Sequence, residues 1–282
     1  MDISNGIYKV TVENNGSFRA CTGAQHPYWP NEDILYDGSL LELETTYNTI
    51  RSFTSHTDYV LSARPYVTDP GYNIIFTGSA SQTVQSGNSI QTTITLTKPE
   101  YPDDLTIVQT IALHGTTFLS STIEMTLAVM NTGSEPILVG IRYFLDFKLD
   151  GNDGPSFQQK NPDGDVLSSE RTFSPVSYQY YQMKNTTGSP AMYILGTALG
   201  PSTLVPVPTP PDQLEFAEWN HAQDTAFTYN TAGRLCSDSC VLYYWGNQGG
   251  TEVSPSRSTS VTAMLVENEL PKLASRGVPF LP

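Results

Sequence analysis

The chain is poor in charge. Of its 282 residues only 15% are Asp, Glu, Lys or Arg, well under the roughly one quarter usual in soluble domains. Fourteen basic residues stand against 28 acidic ones, for a formal net charge of −14. Without a basic stripe there is no electrostatic footprint for nucleic acid, and none for an anionic lipid surface. No apolar run reaches the length of a bilayer span. The opening stretch, residues 1–10, lacks the basic and apolar regions of a secretion signal, so the expectation is either a chain made without one or a mature form with an added Met. Cysteine is scarce as well: Cys21, Cys236 and Cys240 are the three. A core of this size needs no disulfide framework. The run LCSDSC allows a small loop disulfide between Cys236 and Cys240, or free thiols. No second cysteine or histidine pair completes a metal site there.

In place of charge the chain carries Thr, Ser, Tyr, Asn and Gln, and its hydrophobic residues alternate. Over 119–130, Leu119, Ile123, Met125, Leu127 and Val129 fall on one face and Ser120, Thr122, Glu124 and Thr126 on the other. Ile137, Val139, Ile141, Tyr143, Leu145 and Phe147 follow the same period, with Arg142, Asp146 and Lys148 opposite. A period of two means a strand with one face on a core. The link between these runs, residues 131–136, is rich in turn formers and predicts a long antiparallel hairpin. A second hairpin is expected from 90–96 to 105–113, and further strands over 7–13, 17–22, 47–54, 72–79, 191–199, 224–229, 239–246 and 257–267. Residues 150–175 and the proline-rich run 206–211 read as irregular. The prediction is an all-β protein, a large two-sheet antiparallel sandwich over 1–267 followed by an extended tail over 268–282.

The run Gly140–Gly154, with Arg142, Asp146 and then Gly151-Asn152-Asp153-Gly154, resembles a motif of uncharacterised bacterial β-super-sandwich proteins. The Asn131-Thr132-Gly133 turn, Thr46, Thr49, Arg51 and Tyr243-Tyr244-Trp245-Gly246 fit the same pattern. The resemblance implies a two-sheet super-sandwich similar to galactose mutarotase and names no activity.

Several residues carry candidate chemistry. Asp146, Asp150, Asn152 and Asp153 offer oxygen ligands to calcium, although the loop lacks the closing Glu of the helix-flanked calcium motif; the plain alternative is a polar turn. Sugar epimerisation needs an acid and a base, and none of His26, His56, His114 and His221 lies in a recognisable pair with a Glu. Glu215 and Glu218, near Trp219, fit the rim of a sugar groove or, more commonly, an exposed strand edge. Trp29, Trp219 and Trp245 are candidate sugar-stacking rings, with cross-strand packing as the alternative. The tail is apolar at Leu270, Val278, Phe280 and Leu281 and reads as an arm that docks on its own sheet or on a neighbouring subunit.

With no catalytic set legible, the expected function is a non-catalytic structural protein. It would self-assemble as a homo-oligomer or polymer into a fibre or layer at the cell or spore surface, or outside the cell. The alternatives are a carbohydrate-binding module that recognises a glycan, and a sugar-active enzyme of mutarotase-like fold.

Overall fold

The computed structural model describes residues 1–36, 45–62, 67–185, 187 and 191–266. Two large sheets face each other. The first has 12 strands, and its spine runs through Tyr47–Ser52, Ile137–Phe147, Ser239–Trp245, Gln213–Glu218 and the short edge strand Arg171–Phe173. The second has nine strands and is built around Ser89–Leu96, Leu105–His114, Thr122–Asn131 and Ser258–Val266. Among the described residues every pairing of strands is antiparallel except Thr57–Val60 with Asn73–Phe76, and the isolated bridge of Thr68 with Thr225 is also parallel. The tail residues Leu270, Val278, Phe280 and Leu281 lie outside the described residues.

The alternation places side chains as expected. Ile107, Ile111, Met125, Leu127 and Val129 from the second sheet bury against Ile141, Tyr143, Leu145, Val241 and Tyr243 from the first. The predicted hairpin of 90–96 with 105–113 forms, with Leu96 opposite Leu105.

The hairpin predicted across 131–136 does not form. Thr122–Asn131 pairs with Leu105–His114 and Ser258–Val266, whereas Ile137–Phe147 pairs with Tyr47–Ser52 and Ser239–Trp245 in the other sheet. The link carries the chain from one layer to the other. Asn131 braces it, its side-chain amide donating to the carbonyls of Glu135 and Val253 at 2.8 Å each. The two strands therefore meet face to face through their apolar sides, and the Tyr143 hydroxyl donates to the Met125 carbonyl at 3.2 Å. Alternation reports which face is buried and says nothing about which strand lies alongside.

Residues 224–229, read as a strand, form none. After a single helical turn, Trp219–Ala222, this segment is irregular. Ala226, Phe227 and Tyr229 are buried because they lie on the first sheet's outer face, joining Phe144, Leu242 and Tyr244 in a second apolar cluster. Residues 150–175, read as irregular, contain the short strands Ser156–Lys160, Val166–Leu167 and Arg171–Phe173.

Candidate functional site

The first sheet is buried on both faces, and its outer face is polar at the centre. Along Ile137–Phe147, the residues opposite to the core-facing set are Arg142, Phe144 and Asp146. Registry brings Thr49 and Tyr244 beside Arg142, Cys240 beside Asp146, and Leu242 beside both Phe144 and Glu215. Val67, Ala222, Ala226, Phe227 and Tyr229, from two segments distant in the chain, pack over this face.

Two arginines anchor it. Arg51 grips Asp58 through Nε and Nη2 at 2.7 Å each and reaches Asp69 at 2.7 Å, under the ring of Tyr72. Asp69 in turn accepts the backbone N–H groups of Phe227 and Thr228, so this ion-pair cluster fastens the cover. Arg142 is fully buried and has no such carboxylate clamp. Its guanidinium donates to the Thr225 hydroxyl at 3.1 Å, to the Tyr47 hydroxyl at 3.2 Å and weakly to the Phe227 carbonyl, while Nε has no partner among the described residues. Buried cations normally have their donors met.

Three carboxylates border the same face and differ in their partners. Glu170 and Glu218 are held by backbone amides: Glu170 by Ala232, Arg234 and Glu218, and Glu218 by Ser237 and Asp238. Burial works against Glu170, but the Tyr229 hydroxyl and those amides hold its carboxyl below its ordinary value. Glu215 is held by side chains alone. Tyr244 donates to Oε2 at 3.0 Å, and Gln213 and Thr172 donate to Oε1 at 2.9 and 3.2 Å. Burial pushes its carboxyl up to about 7, against the pull of these donors and of Arg142. Thr172 belongs to the edge strand and is exposed, so Glu215 sits one hydroxyl below the surface. Glu215 and Glu218, read as an exposed edge, are 1% and 5% exposed. The local sequence carries no sign of this, because the covering segments are contributed from elsewhere in the chain.

The calcium candidates do not converge. Asp146 is on the covered sheet face and Asp150 is in a positive-φ turn. The Asn152 side chain accepts from the Gly154 amide at 3.1 Å, and Asp153 pairs with Lys148 at 3.4 Å. Among the described residues no group of three or more His, Cys, Asp or Glu is placed to hold a metal ion. Nearby Asp238 is raised to about 7 by burial and by Asp153 and Glu218.

The cysteine pair forms no disulfide: all three cysteines are free. Cys240 points from its strand to the Ala217 carbonyl on the neighbouring strand, whereas Cys236 faces the Arg234 carbonyl in the preceding coil. Nor do the tryptophans make one platform. Trp29 packs with His26 and Tyr28, Trp219 lies against the second apolar cluster, and Trp245 stacks on Tyr243 in the main core. His114 pairs with Glu124 at 2.5 Å, but on the solvent-facing side of the second sheet, away from Glu215.

The architecture is that of the galactose mutarotase-like sandwiches. A candidate aldose 1-epimerase from Escherichia coli K12 matches with a TM-score of 0.56 at 12% identity, over 94% of this chain and 97% of that one. An aldose epimerase homologue from C. elegans matches at 0.53 and 9% identity, over 94% and 97%. A galactose mutarotase-like protein from Lactobacillus casei matches at 0.51 and 11%, over 94% and 99%. No protein-family model matches the chain, and no curated protein sequence does.

These neighbours confirm the super-sandwich and overturn the expected function. A self-assembling surface fibre finds no counterpart among them; they are mutarotase-like proteins and aldose epimerase homologues. The fibre reading rested on the lack of a legible catalytic set, and chain-distant residues on one covered face are not legible as a motif.

Proposed function

We propose that the protein acts on a sugar, with Glu215 as the group that exchanges the proton. One observation carries this reading: a buried carboxyl raised to about 7, held only by side-chain donors and one hydroxyl from solvent. A carboxyl titrating near neutrality gives and takes protons with equal ease, which the opening and closing of an aldose ring at its anomeric hydroxyl demands. Glu170 and Glu218 are poorly suited, because backbone amides tie their oxygens into the fold. Arg142, from the run that resembles the bacterial super-sandwich motif, is read as the group that stabilises negative charge on this face. The mutarotase-like fold of the neighbours agrees with the reading without carrying it, since folds host many activities.

The test is anomer equilibration of freshly dissolved α-glucose, α-galactose and further aldoses, followed by NMR. The expected result is an acceleration over the spontaneous rate that Glu215→Gln reduces at least about tenfold, within the usual range for a general acid–base group. No acceleration across the aldoses, or an acceleration unchanged in Glu215→Gln, overturns it.

A further inference from the structure

Two cavities open at one end of the sandwich and share Asp212, Gly246 and Thr251 in their walls. The inner one, about 230 Å³, reaches between the sheets, with Trp245 and Val139 on one side and Thr259 and Ser260 on the other. The outer one, about 590 Å³, continues between the 246–251 turn and Ser174–Val176. That volume lies in the range of small-molecule sites, about 300–1,000 Å³.

The walls have a consistent chemistry. Trp245 is fixed: its ring stacks on Tyr243 at 5.5 Å and 8°, and its indole N–H donates to the Thr209 carbonyl at 3.1 Å. It is 7% exposed and forms a buried, rigid apolar wall of the inner cavity with no polar demand left. The Asp212 carboxylate accepts the Gly246 amide at 2.6 Å through one oxygen, leaving the other to the groove. Around them stand the Thr251, Thr259 and Ser260 hydroxyls, which bond no described residue, and the amides of Asn247 and Gln248. Among the described residues no Lys or Arg lines either cavity. A carboxylate without a cation repels anions, and neutral donors and acceptors beside an aromatic ring match the hydroxyls and C–H faces of a sugar.

The groove also has a wired connection to the covered face. The Asn247 side chain donates to the Gln213 side-chain oxygen Oε1 at 3.1 Å, and the Gln213 side-chain nitrogen donates to Glu215 at 2.9 Å.

We infer that this groove is a binding site for an uncharged oligosaccharide of two or three units, separate from Glu215 and the covered face. The inference stands without the catalytic reading. The test is calorimetric titration of the full chain with maltotriose, cellotriose, mannotriose and chitotriose, and with trigalacturonate as the anionic counterpart. At least one neutral trisaccharide is expected to bind, with trigalacturonate at least tenfold weaker. Thr251→Trp, which fills the groove from an exposed position, is expected to weaken that binding at least tenfold, and Gln248→Ala several-fold, with unchanged circular dichroism confirming the fold. Glu215→Gln is expected to bind within twofold of the parent. The inference is overturned if no neutral trisaccharide binds, if binding survives both groove variants, if trigalacturonate binds equally well, or if Glu215→Gln removes binding as fully as Thr251→Trp. A protein that binds normally but accelerates no anomer exchange would retire the catalytic reading and leave the groove standing.

Discussion

At Glu215 the energetics of burial become a pH dependence with a defined sign. Its carboxyl ordinarily titrates at 4.5 and in the fold at about 7. Between those values the folded state holds a proton that the unfolded chain releases, so stability falls as pH rises. The contribution is complete below 4.5 and lost above 7. A shift of this size corresponds to about 3 kcal/mol. Urea unfolding of Glu215→Gln should therefore show a flatter stability profile between pH 4.5 and 7.5 than the parent, the remaining slope including Asp238. Equal slopes would mean that Glu215 titrates normally. The two arginines on the same face make a contrasting pair. Arg51→Met strips Asp58 and Asp69 of their cation in a buried place and should lose about 3–5 kcal/mol. Arg142→Met removes a cation whose Nε is unmet among the described residues and whose partners there are hydroxyls, a carbonyl and the rings of Tyr47 and Phe144, with no carboxylate clamp, and should lose clearly less. The reverse ranking would show that Arg142, not Arg51, anchors the covered face.

Strand-level packing depends on close approaches that single residues permit. Gly196, on Tyr193–Thr197, faces Tyr181 across the pair with Tyr180–Lys184, and a Cβ at Gly196 would stand 2.1 Å from the Tyr181 ring. That ring is fully buried between Phe157 and Tyr243, with its hydroxyl accepting from the Tyr243 hydroxyl at 3.0 Å, so it has nowhere to move. Gly196→Ala should destabilise by about 1–3 kcal/mol or more through overpacking, measured as a lowered urea midpoint; an unchanged midpoint would mean that the ring relocates freely. Elements of this kind were legible in part. Periodicity gave the strand at 137–147 and its buried face, because that signal is local. It misassigned the strand's neighbours and turned 224–229 into a strand, since Ala226, Phe227 and Tyr229 are apolar for the sake of a cover and not a ladder. The burial of Glu215 was illegible for the same reason: a carboxylate on an alternating strand looks like the exposed edge it was read as until a distant segment folds over it.

Over the whole molecule, the surplus of acid has consequences that the pairings do not offset. The formal charge of −14 is spread over a surface with few cations, and such self-repulsion destabilises a compact state. Salt screens it, but salt also weakens exposed ion pairs, so the net sign depends on where the pairs lie. The strongest cluster, Arg51 with Asp58 and Asp69, is about 5% exposed or less and is little affected. Lys9 with Asp2 and Lys160 with Asp163 have exposed carboxylates and contribute little in any buffer. Repulsion is therefore the larger salt-sensitive term, and raising NaCl from about 10 to 200 mM, which shortens the screening length from roughly 30 Å to below 10 Å, should increase the urea midpoint at pH 8. Because about half of the carboxylates are protonated near pH 4, the increase should shrink there. A midpoint that falls with salt at pH 8 would mean that exposed ion pairs, and not the buried arginine cluster, hold the charged surface together.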